Sequence, residues 1–347
     1  MRFIGSKVML LGNIKEVVDE HANNANTFCD IFSGTACVSR YFKKWYEVIS
    51  NDLLYFSYCL QKGTVENDHI PTFPKLDDIT KGAGPIDYIN QLSTAQMEAL
   101  SQSKRFFQNN YSPLGNRMYV TDSNALRIDY ARNKIEEWFN SELIDENEYY
   151  YLIASTVEGI PYVSNISGTY GAYNKFWDKR SSKTFELIKL DIITNGKNNK
   201  CYNVDGLELL KNISGDILYI DPPYNSRQYP PNYHVLETAA KYDYPALNGV
   251  TGLRPYDDQK SDFCKSSKVI AAFDALIKYA NFEHIILSYN TEGLMKIEDI
   301  EMVMKRHAIA STFKVYELKY RRFKSRSTKF KDSLKELIVY IRKGVTR

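Results

Sequence analysis

The sequence predicts an α/β protein built on a mixed sheet, and three observations lead to that class. Short apolar runs recur along the chain and stop at turn-forming or acidic residues. Segments with helical periodicity lie between several of them. Two alternating apolar and polar segments near the end, Thr312 to Phe323 and Leu337 to Arg342, flank a basic stretch and read as an antiparallel pair. A chain of 347 residues with 44% apolar side chains can bury a sizeable core, and its 25% charged residues belong to an ordinary soluble protein.

Each element has its own signal. Phe28 to Phe32 reads as the first strand, Ser33-Gly34-Thr35-Ala36 as a tight turn, and Val38, Tyr41 and Phe42 as the buried stripe of the helix that follows. Glu47 to Asp52 is the second strand. Lys200 to Asp205 is the third, after an exposed polar loop from Gly196 to Lys200. Roughly 145 residues separate the second and third strands, far beyond the dozen that a crossover needs, so a separate insert is expected. Its bounds are residues 57–195, between the two halves of one domain, 1–56 and 196–347. Gly206 to Ile213 is a short helical stretch, and Ile217 to Ile220 a fourth strand that stops at Asp221-Pro222-Pro223. Ala271 to Ala280 is helical, and His284 to Asn290 is a continuous apolar run of fully buried type.

Composition narrows the setting. Five scattered cysteines with no CxxC pair fit reduced thiols, which makes a cytoplasmic location the default. No run of eighteen apolar residues appears, and Met1 to Leu11 carries a helix pattern without a cleavable signal-peptide form, so neither membrane nor secretion is expected. The net charge of +3 is an average: residues 301–347 hold 14 basic against 4 acidic side chains, or +10, and the other 300 residues carry −7. The densest part, from Lys319 to Lys331, interleaves Tyr320, Phe323 and Phe330 with basic residues. Such a surface could track a phosphate backbone, or protect a sheet edge as a solvated hairpin.

The strongest local signal is Ile217-Leu218-Tyr219-Ile220-Asp221-Pro222-Pro223-Tyr224-Asn225. An apolar strand opens into a carboxylate, two prolines and an aromatic ring. The prolines fix φ and remove two backbone donors, leaving carbonyls free to accept hydrogen bonds from a guest such as an amino group. At the carboxyl end of a parallel strand, this cluster stands where open α/β sheets bind ligands.

Asp221-Pro222-Pro223-Tyr224 resembles the catalytic motif of amino-group DNA methyltransferases, and the stretch from Asp221 to Thr238 is similar to adenine-N6 enzymes of the DNA adenine methylase family, in the type II restriction-modification group. The resemblance covers roughly residues 1 to 55 and 200 to 345, in the family's linear order. It implies a Rossmann-like S-adenosyl-L-methionine-dependent fold, with the insert as a mainly helical target-recognition subdomain. Arg2-Phe3-Ile4-Gly5-Ser6-Lys7 resembles the N-terminal cofactor motif, implying that Phe3 packs on the cofactor and Lys7 pairs with its carboxylate. Asp30-Ile31-Phe32-Ser33-Gly34-Thr35-Ala36 resembles the cofactor loop, with alanine where the family more often has glycine, which leaves Gly34 as the important small residue. Asp52 is placed for the ribose hydroxyls, although a strand-end turn or N-cap gives the same pattern. Asp205 resembles the acid that reaches the adenine amino group.

The resemblance also assigns DNA contacts. Arg227 and Tyr233 follow the motif closely and are candidates for phosphates or the extruded nucleotide, with His234 either a third or a structural histidine. Lys324, Arg326 and Lys329 are expected to face double-stranded DNA. Lys104, Arg105, Asn109, Asn110, Arg117 and Arg127 read more simply as ordinary surface residues, whereas Asn165 to Lys175 suits a loop that approaches a nucleic-acid backbone. No HExxH, P-loop, nucleophile elbow or nuclease motif appears, so no metal is expected, and a cognate restriction endonuclease would be a separate chain. The resemblance favours a monomer. The alternatives are methylation of cytosine N4, where serine more often stands in place of Asp221, and a non-catalytic DNA-binding subunit with a methylase fold. A nicotinamide-binding dehydrogenase is more distant, since the glycine loop lacks GxGxxG spacing.

Overall fold

A computed structural model describes residues 5–100, 104–319 and 335–345. Seven strands form one sheet: β1 (Thr27–Asp30), β2 (Glu47–Asn51), β3 (Lys200–Tyr202), β4 (Ser214–Ile220), β5 (Asn281–Asn290), β6 (Lys314–Lys319) and β7 (Lys335–Arg342). Their order is β3-β2-β1-β4-β5-β7-β6. The first five run parallel, and β7 lies antiparallel between β5 and β6. The chain grows outward from β1 to β3 and then returns to place β4 on the other side of β1. That reversal opens a crevice at the carboxyl ends of β1 and β4, the switch point at which such sheets hold ligands.

The apolar strands are buried on both faces, as their unbroken hydrophobic runs require. Phe28, Ile217, Tyr219, Ile286 and Ile338 point to one side, against Ile14, Val17 and Val18 of the helix Leu11–His21 and Phe42 of the helix Cys37–Phe42. Their neighbours Cys29, Leu218, Ile220, Ile285, Leu287 and Val339 point to the other, against the helices Val269–Tyr279 and Ile297–His307. The period of two along β4 and β5 thus builds two separate cores from one sheet. The helical pattern expected near the N-terminus lies further along, in a 3₁₀ turn at Val8–Leu10 followed by Leu11–His21. β3 stops at Tyr202 rather than Asp205, because the Asp205 carboxylate turns to cap the next helix, accepting hydrogen bonds from the Leu207 and Glu208 amides.

Between β2 and β3 the described residues form helices and no strand, the longest being Asp122–Asn140 and Glu146–Gly159. Both start as their sequences dictate: Thr121 caps the first, and Asp145 with Glu148 forms a reciprocal capping box on the second. Their core of Phe56, Tyr111, Trp138, Leu152 and Val157 is shared with Val235, Leu236 and Ala239 from the helix Pro230–Lys241. The segment that follows Asp221-Pro222-Pro223-Tyr224 is therefore packed against the helices Tyr55–Gln61 and Glu146–Gly159. Glu237 fastens it. This carboxylate, 1% exposed, accepts hydrogen bonds from the backbone amides of Tyr55 (3.1 Å) and Phe56 (2.9 Å) and from the Gln259 amide (2.6 Å). Replacing Glu237 with alanine leaves those donors buried without an acceptor, so Glu237→Ala should lower stability by roughly 3 kcal/mol, read as the shift of the urea unfolding midpoint. An unchanged midpoint would remove Glu237 as the fastening.

Candidate active site

The turns after β1, β2, β3 and β4 line one cavity of about 510 Å³. Asp30 closes β1, and the backbone then turns through Gly34 (φ +52°) and Ala36 (φ +59°), both in the left-handed region. Alanine therefore stands where glycine would be relaxed, which explains why glycine suits the position and makes Ala36 as conformationally critical as Gly34. Asp52 bridges this turn to its own strand end: one oxygen accepts from the Gly34 amide and the other from the Leu54 amide, each at 2.8 Å. Asn51 ties three strand ends together, donating to the carbonyls of Ile31 and Val204 and accepting from the Val204 amide. Gln228 bonds both ways with the Ser261 backbone, which brings residues 259–263 over the cavity as a further wall.

At the base of the cavity is a buried charged cluster. The Lys7 ammonium, 2% exposed, stands 3.3 Å from Asp221 Oδ1, 3.4 Å from Glu336 Oε2 and 3.3 Å from the Tyr224 hydroxyl. Gly5 makes this approach possible: it has φ +77°, and a side chain there would collide with the Tyr224 hydroxyl. Burial opposes the Lys7 charge, but Asp221, Tyr224 and Glu336 outweigh it and raise its pKa above the ordinary lysine value. Burial pushes the Asp221 carboxyl up to about 6, with Lys7 pulling it down and Glu336 adding to the rise. Asp30 is 1% exposed, with one oxygen held by Ser39 (2.7 Å) and the other without a partner among the described residues. Burial, helped by the charges of Asp221 and Asp52, pushes it up to about 7. Burial likewise raises Asp52 to about 6, against the pull of its backbone donors.

Of the residues singled out in the sequence, Lys7, Asp30, Phe32, Gly34, Asp52, Asp205, Asp221, Pro223 and Tyr224 line this cavity, and Pro222 is buried beside it. Phe3, Lys324, Arg326 and Lys329 lie outside the described residues. Arg227 is exposed, its amide bonded to Asn225 Oδ1. Tyr233 requires a correction: it is 1% exposed, packed between Phe56 and Tyr229 in the helical core, and offers no surface to a nucleic acid. The cause is helical periodicity, which turns Tyr233 inward on Pro230–Lys241. His234 is structural too. It lies 2.9 Å from the Tyr170 carbonyl, and burial pushes it down to about 4, leaving it neutral.

Arg127 is buried and donates to the carbonyls of Phe185, Leu92 and Asn90, and Arg117 donates to those of Asn110, Gly249 and Val250. Both act as internal braces. The basic excess after residue 300 is also partly neutralised, since Arg306 pairs with Asp274, Lys314 with Glu20 and Arg342 with Glu283. Sequence reading missed Gly5, Asn51, Gln228, Phe263 and Glu336. Of these, Gly5 and Gln228 lie inside the quoted motifs, whereas Asn51, Phe263 and Glu336 carry no local pattern.

The raised Asp30 pKa makes a signed prediction. Above the unfolded carboxylate value near 3.9, the unfolded chain has lost this proton while the folded chain keeps it up to about pH 7. The stabilisation is thus full at low pH and is lost as pH rises. Compared with Asp30→Asn, the wild type should lose roughly 2–3 kcal/mol between pH 5 and pH 8, measured by urea unfolding at both pH values. Parallel curves would show that Asp30 does not hold its proton.

The comparisons with known proteins agree with this arrangement. Residues 3–303 match the family model for the D12 class N6 adenine-specific DNA methyltransferases. The chain is 48% identical over 99% of its length to the type II methyltransferase M.FokI of Planomicrobium okeanokoites, and 41% identical over 99% to the modification methylase StsI of Streptococcus sanguinis. It covers 53% and 52% of those proteins, so it spans about half their length. It is also 37% identical to the type II methyltransferase M.NlaIII of Neisseria lactamica, covering 94% of both chains. A seven-stranded, mostly parallel sheet, a cavity at its switch point and a match over most of the sequence converge: this chain belongs to the D12 class of N6 adenine-specific DNA methyltransferases.

Proposed function

We propose that this chain transfers a methyl group from S-adenosyl-L-methionine to N6 of adenine in double-stranded DNA, as the modification enzyme of a type II restriction-modification system with a separate cognate endonuclease. The observation that carries the reading is the convergence of Lys7, Asp30, Gly34, Asp52, Asp205, Asp221, Pro223 and Tyr224 on one cavity at the sheet's switch point. The relatives' names, methyltransferase and modification methylase, support the cellular role.

The lining fits the cofactor. Its volume of about 510 Å³ lies in the range of small-molecule sites, and its carboxylates suit a ligand bearing a sulfonium, an ammonium and ribose hydroxyls. The second Asp30 oxygen, unpartnered among the described residues, is an acceptor in want of a donor. We assign the adenosine to Asp52, Asp205 and the apolar wall of Phe32 with Phe263, whose rings lie 5.3 Å apart edge to face. When bound, the cofactor supplies an activated methyl group on a good leaving group.

The protein supplies the rest. The N6 lone pair of adenine is delocalised into the ring. The Asp221 carboxylate and the Pro222 carbonyl accept the two amino hydrogens, redirecting that lone pair outward. Lys7, the residue assigned to the cofactor's carboxylate, already stands between Asp221 and Glu336 and also fixes the Asp221 carboxylate. Tyr224 stacks on the extruded base, offsetting part of the few kcal/mol that base flipping costs. Residues 57–195, whose helices share one core with Pro230–Lys241, are assigned to target recognition, and residues 1–56 and 196–347 to catalysis.

Asp221→Ala should still bind tritiated S-adenosyl-L-methionine but transfer label to DNA at least about 100-fold more slowly, and retained transfer would sink the assignment. Digestion of the product separates N6-methyladenine from N4-methylcytosine. Because Asp221 must be ionised to accept its amino hydrogen fully, kcat/KM should fall as pH drops through about 6, and this limb should move to lower pH in Glu336→Gln, where a charge that helps raise Asp221 is gone. A limb that stays in place would separate Glu336 from the site.

A further inference from the structure

The segment between Val163 and Asp178 holds the most exposed aromatic ring among the described residues. Phe176 is 85% exposed and its neighbour Trp177 is 44% exposed. An apolar pair held in water is costly unless something covers it. The backbone beneath it is tied down. Asn165, fully buried, accepts at its carbonyl from the Asn174 amide (2.9 Å), donates its side-chain amide to the Asn174 carbonyl (3.0 Å) and accepts at Oδ1 from the Asp178 amide (2.9 Å). Asn174 and Asp178 are therefore pinned to one side chain, and Lys175, Phe176 and Trp177 project between them as a short, braced tip.

The tip is fixed relative to the site. The Tyr170 amide donates to the Asn232 carbonyl (2.8 Å), and the Tyr170 carbonyl accepts from His234 Nε2 (2.9 Å) and the Tyr119 hydroxyl (2.8 Å). Asn232 stands two residues after Pro230, which lines the cavity. The loop is thus clamped to the helix that continues from Asp221-Pro222-Pro223-Tyr224. Lys175 and Lys179 flank the ring and are exposed, the charge that a phosphate backbone requires on either side of an inserting side chain.

We propose that Phe176 is a wedge that enters the DNA base stack beside the extruded adenine and fills part of the space it leaves. Apolar side chains inserted between base steps are the general means of stabilising an unstacked duplex. The inference rests on the methylase reading above and adds to it the residue that holds the duplex open. Phe176 is a positioning residue for the reaction: it touches the duplex, and the cavity is lined without it.

The test compares two duplexes carrying the chain's methylation site, identified from modified bases in plasmid of expressing cells. One pairs the target adenine with thymine, and the other mispairs it, so that extrusion costs little. Phe176→Ala should lower kcat/KM about tenfold or more on the paired duplex and less than about threefold on the mispaired one, while Phe176→Leu keeps most of the activity on both. Since the ring is exposed, the substitution leaves the fold intact, and an unchanged thermal midpoint checks this. An equal loss on both duplexes, or none on either, overturns the wedge. Wild-type transfer to the mispaired duplex reports separately on the methylase reading; if it is absent on both duplexes, that reading falls as well.

Discussion

The site depends on a buried ammonium. Lys7 comes from the N-terminal segment, Asp221 and Tyr224 from the turn after β4, and Glu336 from β7, so one side chain joins three parts of the chain that are far apart in sequence. Removing a partner from such a cluster leaves an uncompensated charge in a poor dielectric, at a cost of several kcal/mol. The cluster also sets the Asp221 carboxyl under two opposing charges, Lys7 lowering its pKa and Glu336 raising it. A carboxyl held near neutrality in this way responds to whatever enters the cavity.

Around the cluster, small polar side chains do what regular secondary structure cannot. Strand ends have backbone groups that the sheet no longer pairs, and in a crevice these must be satisfied locally. Asn51 serves the ends of β1, β2 and β3; Asp52 serves the glycine turn; Glu237 serves the first turn of the helix Tyr55–Gln61. The same residues thereby fix the walls. Pro230–Lys241 carries this order outward, since its buried side chains belong to the helical core and its amino end to the cavity.

Much of the fold was legible because it follows from periodicity and punctuation. The runs at Phe28, Glu47, Ile217 and His284 are each strands, and the double proline ends β4 where it must. Pro230–Lys241 and Ile297–His307 were missed, the first because burial on nearly all sides erases the amphipathic stripe that marks a helix. Tyr233 was misassigned for the same reason: proximity to a motif in sequence is not proximity in space once a helix begins. The sequence leaves Gly34 as the important small residue of the loop, and only the backbone angle reveals that Ala36 occupies a left-handed position as well.

By itself, the sequence determined the strand pattern, the long separation between β2 and β3, and the chemistry of the motifs, since these rest on local residue type and spacing. The tertiary structure decided which of those residues meet. It brought four strand ends and an N-terminal lysine to one cavity, turned Tyr233, Arg127 and His234 into internal braces, and added Glu336 from a distant strand. The physical reason is that burial and charge pairing depend on the whole fold: a carboxylate or a tyrosine has the same local signature whether the sheet's crossover leaves it in a cleft or in the core.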